Sequence, residues 1–250
     1  MGFWPVVEDL IVNSDILILV LDARMPELSM NKELERKIIK HGKEGVIVFN
    51  KIDLMNSESL KLLKAKYPNG FFVSGTKSIG INDLRKYLQI TAKRLGISDP
   101  KIGVVGYPNL GKSAIINALA RRSRAKVADM PGTTRGVQWV KAGGLRILDS
   151  PGVIPYEDKS MKLTLLGSKH PEKISDPIKV ALEIIEIVCE KDKSSLEKRY
   201  NIKIEDKIES YNILEEIARK RGFLKKGGEI DETKTSIIIV KDWQQGKIML

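Results

Sequence analysis

Short apolar runs bounded by turn residues recur along the first 150 residues of the chain, and each predicts a β-strand. They cover residues 15–22, 45–49, 71–74, 102–106, 137–141 and 145–149. Stretches with helical spacing lie between most of them, at 31–41, 57–66, 82–95 and 112–122. Strands that alternate with helices predict an α/β fold, in which helices cover both faces of a mostly parallel six-stranded sheet. The last two strands are separated by Ala142-Gly143-Gly144, a tight turn that predicts a hairpin.

The alternation of strands and helices stops near residue 170, where Pro171 and Pro177 punctuate a predicted linker. We therefore predict two domains. The sheet domain covers 1–173, and a small, mainly helical domain covers 174–250.

The predicted second domain contains two stretches with helical spacing, 178–191 and 206–221. In the second stretch Asp206 is the candidate cap and Gly222 the expected stop. The run Ile237–Val240 favours a strand instead, because β-branched residues prefer extended backbone.

The segment 106–113 reads Gly-Tyr-Pro-Asn-Leu-Gly-Lys-Ser, which matches the phosphate-binding pattern GxxxxGK[ST]. It follows a predicted strand and precedes a predicted helix, the context in which this motif binds phosphates. Gly106 and Gly111 allow the backbone to wrap closely around an anion with its N–H groups pointing inward. We expect Lys112 to reach the β- and γ-phosphates and Ser113 to ligate Mg²⁺. The predicted contacts of this loop are Asn109, Leu110, Gly111, Lys112, Ser113 and Ala114.

The segment Asn50-Lys51-Ile52-Asp53 matches the NKxD motif that reads guanine. The Asp53 carboxylate can accept hydrogen bonds from guanine N1 and N2, and adenine lacks this pair of donors. Asn50 is expected to brace the loop and to reach guanine N7, while Lys51 can lie along the ring.

The segment Ser74-Gly75-Thr76 follows a predicted strand and fits a second contact with the base. The backbone N–H of Gly75 can donate to guanine O6. The alternative is an ordinary turn at a strand end.

Two further segments have the character of nucleotide-sensing switches. Asp149 ends a predicted strand and can hold Mg²⁺ through water, and the Gly152 N–H can sense the γ-phosphate. Thr134 is expected to complete the Mg²⁺ shell when GTP is bound, with Thr133 as the alternative. The predicted catalytic group is therefore Lys112, Thr134, Gly152 and Asn109.

Val153 stands where a Ras-type GTPase has the glutamine that orients water. An aliphatic side chain cannot orient water, so we expect slow intrinsic turnover. Asn109 is a candidate ligand for K⁺ near the β–γ bridge, where the cation would supply charge to the transition state. Alternatively, Asn109 only stabilises the loop through its own backbone bonds.

The order of these motifs is unusual, because the guanine motif precedes the phosphate loop, whereas it follows the loop in ordinary GTPases. All parts are present, so the chain has the motif order of a circularly permuted GTPase. Residues 96–100 then join the elements that hold the two termini of an unpermuted domain.

With these motifs in this order, the chain resembles the circularly permuted GTPases of the YlqF/YawG type, which act in assembly of the large ribosomal subunit. Asp22-Ala23-Arg24-Met25-Pro26 is similar to that family's DARxP segment, and Pro131-Gly132-Thr133-Thr134-Arg135 and Asp149-Ser150-Pro151-Gly152 stand in the family's order. Lys226-Gly227-Gly228 and 242–247 resemble its C-terminal domain. The resemblance implies a helix over 231–244, against the strand propensity noted above. Where the family often has Ser-Ala-Lys, this chain has Ser74-Gly75-Thr76.

The chain carries 43 Lys and Arg against 32 Asp and Glu, a net charge of +11. This balance favours a polyanionic partner such as RNA, although solvated surface lysine is the alternative. The single Cys189 excludes an internal disulfide, and no apolar run approaches the ~20 residues of a membrane span. We expect a cytoplasmic monomer with no membrane contact.

Together these features predict a GTP-hydrolysing switch that binds GTP and GDP with Mg²⁺ and contacts the large ribosomal subunit or its rRNA. Two alternatives remain open: a GTPase that acts on another RNA such as tRNA, and a module that holds GTP with negligible turnover.

Overall fold

The computed structural model describes residues 3–121, 139–149 and 160–250. The chain forms two compact units. The first comprises Met1–Asp53 and Leu60–Tyr156, and the second comprises Leu54–Ser59 and Glu157–Leu250. The predicted α/β class with a mainly helical second part is confirmed.

The first unit contains a sheet whose strands are β1 (Ile16–Asp22), β2 (Glu44–Asn50), β3 (Phe71–Phe72), β4 (Lys101–Val105), β5 (Trp139–Ala142) and β6 (Leu145–Asp149). Their order across the sheet is β3-β2-β1-β4-β6-β5. Neighbouring strands are parallel except β5 and β6, which form the predicted antiparallel hairpin. The prediction of a mostly parallel six-stranded sheet is confirmed. The first two residues of the predicted strand 137–141 lie outside the described residues.

The helices of the first unit are α1 (Phe3–Asn13), α2 (Pro26–Ser29), α3 (Lys32–Lys40), α4 (Ser57–Lys66), α5 (Ile81–Arg94) and α6 (Lys112–Arg121), and α4 also enters the second unit. The last four agree with the predicted helices to within one residue at each end. Helix α1 was not predicted, although its buried Val7, Leu10 and Ile11 have helical spacing.

The central strand β1 is buried along its whole length, so both faces of the sheet are covered there. It ends at Asp22, whose partner across the ladder is Asn50 at the end of β2. Strand β4 leads into the phosphate-loop segment and lies on the other side of β1 from β2. Its Val104 pairs with Asp149 of β6. Because parallel strands end at the same edge of a sheet, this edge gathers the polar residues that follow them.

The predicted join between α5 and β4 is a short connection. Helix α5 ends at Arg94 with Leu95 in the capping position, and the next residue, Gly96, has a left-handed backbone with φ 71°. The Ile97 N–H donates to the Ala92 carbonyl at 2.9 Å. This is the glycine-terminated helix end that turns a chain sharply. The join therefore needs only a few residues.

The second unit contains α7 (Ser160–Leu165), α8 (Pro177–Asp192), α9 (Ser194–Tyr200), α10 (Ser210–Arg221) and α11 (Glu232–Gln244). Helix α11 confirms the helix implied by the family resemblance, against the strand propensity of its isoleucines. Its Ile239, Val240 and Trp243 are buried, and α11 packs on α8, so tertiary packing overrides local preference.

The predicted start of the helix over 206–221 was wrong. The helix begins at Ser210 with Glu209 in the capping position, and Asp206 instead forms an ion pair with Lys193.

The two compact units divide the chain elsewhere than the predicted boundary between 173 and 174. Leu163, Leu165 and Leu166 are buried, and the Trp243 Nε1–H donates to the Leu165 carbonyl at 2.9 Å. Helix α7 therefore belongs to the second unit. In the described ranges, no helix is long and apolar enough to cross a bilayer.

Candidate functional site

The phosphate-loop segment connects the end of β4 to the start of α6. Its two pattern glycines have positive φ, 148° at Gly106 and 87° at Gly111. A Cβ at Gly106 would lie 2.6 Å from the Val20 carbonyl oxygen, and a Cβ at Gly111 would collide with the Asn50 amide. Glycine is therefore required at both positions by conformation and by space.

The side chain of Lys112 lies over this loop and is only 6% exposed. Its Nζ donates to the carbonyls of Gly106 at 3.1 Å and Tyr107 at 2.9 Å. A buried ammonium held above a turn of backbone N–H groups is placed to meet phosphate oxygens. Ser113 follows in the first turn of α6, where a helix N-terminus favours negative charge.

Asn50 joins three of the predicted motifs and is almost completely buried. Its Nδ2 donates to the Leu110 carbonyl of the phosphate loop at 2.7 Å, and its Oδ1 accepts from the Gly75 N–H at 2.9 Å. The side chain thus braces the loop that carries Asp53 against the phosphate loop and the Ser-Gly-Thr segment.

The Ser-Gly-Thr segment packs directly on the start of α6. A Cβ at Gly75 would lie 2.9 Å from the Ala114 carbonyl carbon and the Ile115 nitrogen, so no larger residue fits without movement. The Ser74 and Thr76 hydroxyls lie 3.2 Å apart, within hydrogen-bond distance.

The predicted donation from the Gly75 N–H to guanine O6 stays a prediction, and it meets a competing acceptor in this structure. An amide carries one hydrogen, and that of Gly75 is already bonded to Asn50. A base oxygen would therefore have to share it. The next backbone donor, the Thr76 N–H, has no hydrogen-bond partner among the described residues.

Asp53 lies on the one-turn helix that follows β2, and its side chain is about nine-tenths buried. Lys77 Nζ lies 3.8 Å from Asp53 Oδ2. Sequence reasoning missed this lysine because the motif was compared residue by residue with Ser-Ala-Lys. The lysine is present one position later than in that pattern.

Lys51 has a left-handed backbone with φ 69°, and its Nζ donates to Asp22 Oδ2 at 2.9 Å. Burial lowers the Lys51 pKa from its ordinary value, while the charge of Asp22 acts in the opposite direction. Burial would raise the Asp22 pKa, yet Arg24 and Lys51 together hold it well below its usual range. Asp22 therefore stays ionised at neutral pH.

The switch residues are only partly described. Asp149 ends β6 beside the phosphate-loop strand, as its pairing with Val104 requires, although its side chain lies outside the described residues. Thr133, Thr134, Gly152 and Val153 also lie outside them. Their roles stay predictions.

The surroundings of Ser113 fit a hydrated Mg²⁺ beside nucleotide phosphates. The Ser113 hydroxyl, in the first turn of the helix that follows the phosphate loop, is a suitable oxygen ligand. The backbone of β6 brings Asp149 to the same edge of the sheet.

Comparisons with known families agree with these motifs. A family model described as "RsgA GTPase" matches residues 6–157, more than half of the chain. A second, described as "50S ribosome-binding GTPase", matches residues 101–221.

Similar curated proteins include a GTP-binding protein of Methanocaldococcus jannaschii, 37% identical over 97% of this chain and 65% of that protein. Nuclear/nucleolar GTPase 2 of Oryza sativa subsp. indica is 32% identical over 98% of this chain and 47% of that protein. The chain thus spans between about half and two thirds of the length of these relatives.

Among solved structures, GDP-bound YlqF from T. maritima has a TM-score of 0.62 at 24% identity, covering 97% of this chain and 95% of that one. The GNP-bound form has a TM-score of 0.56 at 24% identity, covering 97% and 93%. These likenesses show the fold. With the family match and the order of its motifs, the chain belongs to the circularly permuted GTPases, in the family of the RsgA GTPase model and with the YlqF-type fold.

Proposed function

We propose that this protein is a GTP-binding and GTP-hydrolysing switch that assists assembly of the large ribosomal subunit by binding rRNA. The observation that carries the nucleotide part is the position of Asn50, which ties the guanine motif, the Ser-Gly-Thr segment and the phosphate loop into one site.

In this proposal each described residue has a distinct task. Asp53 accepts the guanine N1 and N2 hydrogens, and Asn50 holds the loop that carries it. Lys112 exchanges its loop carbonyls for the β- and γ-phosphate oxygens when GTP binds. Ser113, with Asp149 and Thr134, would hold Mg²⁺, which when bound supplies charge that offsets the negative phosphates.

We expect the hydrolysis step to be slow without a partner. Val153 offers no group that could orient water, so the remaining contributions are the Lys112 charge and the Gly152 N–H at the γ-phosphate. Asn109, whose backbone is left-handed with φ 60°, is the proposed K⁺ ligand.

The ribosomal part of the proposal is supported by the names of relatives and by charge. The matched family descriptions include a 50S ribosome-binding GTPase, and a relative is a nucleolar GTPase. The chain has a net charge of +11, and its segment 219–226 is rich in Lys and Arg. RNA phosphates are the natural partner of such a surface.

The two arginines of 219–226 are both engaged inside the second unit. Arg219 pairs with Glu215 at 2.6 Å, and Arg221 donates to the Arg199 carbonyl at 2.7 Å. The exposed Lys220, Lys225 and Lys226 form no side-chain hydrogen bond or ion pair with the described residues. These three lysines are the proposed phosphate contacts.

The permuted order of the motifs suggests how the bound nucleotide controls RNA binding. The chain continues from the predicted second switch directly into Glu157–Leu250, the larger segment of the second unit. We propose that loss of the γ-phosphate changes the switch and thereby the unit's hold on RNA.

Replacing Lys220, Lys225 and Lys226 together with glutamine is expected to weaken binding to large ribosomal subunits. Because each lysine releases counterions from a phosphate, the slope of log K against log salt should become shallower by about 2 to 3. Sedimentation with purified subunits at several salt concentrations measures both effects.

A matched variant carries glutamine at Lys61, Lys86 and Lys93, three exposed lysines on helices of the first unit. It loses the same amount of charge at a different surface. It should retain most of the affinity and salt dependence. Equal losses in the two variants would show that only net charge matters and would refute this RNA surface.

A further inference from the structure

The buried carboxylate of Asp22 is the centre of an ion cluster at the end of β1. The Arg24 guanidinium donates two hydrogen bonds to it, from Nε to Oδ1 at 3.1 Å and from Nη2 to Oδ2 at 3.0 Å. The Arg24 backbone N–H also donates to Oδ1 at 3.0 Å. Both side chains are at most 1% exposed. The pair is therefore fully removed from water and fixed in orientation.

The same carboxylate contacts the guanine motif. Asp22 and Asn50 are partners in the β1–β2 ladder, so the carboxylate lies next to the turn that begins at Lys51. Lys51 Nζ donates to Asp22 Oδ2 at 2.9 Å, and its side chain is 19% exposed. The Ala23 N–H donates to the Asn50 carbonyl at 2.8 Å, which joins the two segments by backbone as well.

Lys51 needs such an anchor because its backbone is left-handed, with φ 69°. This conformation is unfavourable for a residue with a long side chain and persists only where the surroundings impose it. It sets the direction in which the chain leaves β2, and therefore where Asp53 lies two residues later. A carboxylate held rigidly by Arg24 can fix that direction through Lys51.

We propose that Asp22, oriented by Arg24, is a positioning residue for guanine recognition, which acts by holding Lys51 in its left-handed turn and thereby placing Asp53. The inference rests on the proposed function, since it takes Asp53 as the group that reads guanine. It assigns to the Asp-Ala-Arg segment a task in base selectivity, although neither Asp22 nor Arg24 touches the base.

The test compares the dissociation constants of GDP and inosine diphosphate in the wild type and in Asp22→Asn. Inosine lacks the N2 amino group, so the ratio of the two constants reports the second hydrogen bond to Asp53. We expect the affinity for GDP to fall about tenfold, because a single hydrogen-bonded contact to a charged group is misplaced. The ratio of the inosine diphosphate constant to the GDP constant should fall towards one. A general loosening of the fold would weaken both nucleotides equally and leave the ratio unchanged.

Asp22→Asn leaves the Arg24 guanidinium buried beside a neutral group and can prevent folding. The double variant Asp22→Asn with Arg24→Met removes both buried charges and decides the question in that case. It is expected to show the same loss of discrimination. Asp99→Asn is the matched control, because it makes the same change at an exposed aspartate that pairs with Arg146 and should leave both constants unchanged.

The outcomes separate this inference from the proposed function. If the wild type does not bind GDP, or if Asp53→Asn leaves base preference unchanged, the guanine site itself is wrong and the positioning role falls with it. If Asp53→Asn alters base preference while the folded Asp22 variants keep the wild-type ratio, the guanine site stands and only the positioning role of Asp22 is overturned.

Discussion

Replacing Lys112 with alanine is expected to abolish productive GTP binding. The ammonium is buried over the phosphate loop, 2.9–3.1 Å from two loop carbonyls, where the γ-phosphate would take their place. Removing one partner of a buried, hydrogen-bonded charge pair costs about 2–5 kcal/mol. That free energy corresponds to a loss of affinity of about 30-fold to several thousand-fold. Fluorescence titration with a labelled GTP analogue measures it.

The matched control is Lys86→Ala, which removes an exposed lysine from α5 of the same unit. Its affinity for GTP should stay within about twofold of the wild type, as for most surface substitutions. If Lys112→Ala bound GTP as tightly as Lys86→Ala, the phosphate-loop assignment would be refuted.

Replacing Asp53 with asparagine is expected to move base preference from guanine to xanthine. Xanthine carries a carbonyl where guanine carries its N2 amino group, and the asparagine amide can donate to that carbonyl while its oxygen accepts from N1. Guanine would leave a donor opposed by a donor in a site that is about nine-tenths buried. Sites that depend on such a hydrogen bond discriminate by about 10⁴-fold or more, so a large reversal is expected.

Competition between GTP and xanthosine triphosphate on the same preparation measures this reversal. Asp83→Asn, an exposed aspartate in the first turn of α5, makes the same chemical change away from the site and should keep the preference for GTP. An Asp53→Asn protein with undiminished selectivity for GTP would show that another residue reads the base.

Much of the fold could be predicted because local pattern and tertiary structure agree in the first unit. The apolar runs at β1 and β4 are continuous because parallel strands at the centre of a sheet are buried on both faces. The helices between them have ordinary amphipathic spacing. The hairpin of β5 and β6 follows from Gly143 and Gly144, which adopt the positive φ that the turn requires.

The second unit was harder to predict because its elements are defined by distant contacts. The isoleucines of α11 favour a strand locally, and only packing against α8 makes them helical. Helix α7 joins this unit through Trp243, 78 positions away in the chain. Leu54 joins it through a hydrogen bond from the Leu250 N–H to its carbonyl at 2.8 Å. No local pattern indicates such partners.

The candidate site likewise has some features that the sequence predicts and others that it does not. The phosphate loop and the guanine motif are recognisable because their residue types and spacing follow directly from the chemistry of phosphates and guanine. The use of the Gly75 N–H by Asn50 and the approach of Lys77 to Asp53 depend on three-dimensional placement. The ion pair between Arg24 and Asp22 could not be predicted either, because the sequence of this segment indicated only a resemblance to the family's DARxP segment.

GTP turnover with and without purified large ribosomal subunits tests most directly whether this protein acts through this site as a ribosome-associated GTPase. The reaction is followed by phosphate release in K⁺ buffer, with a Na⁺ buffer and ATP as controls. We predict slow turnover of GTP alone, strong stimulation by the subunits, and no turnover of ATP. GTP that binds but is hydrolysed no faster in the presence of subunits would contradict the proposed function. That result would favour another RNA partner or a module that holds GTP without hydrolysing it.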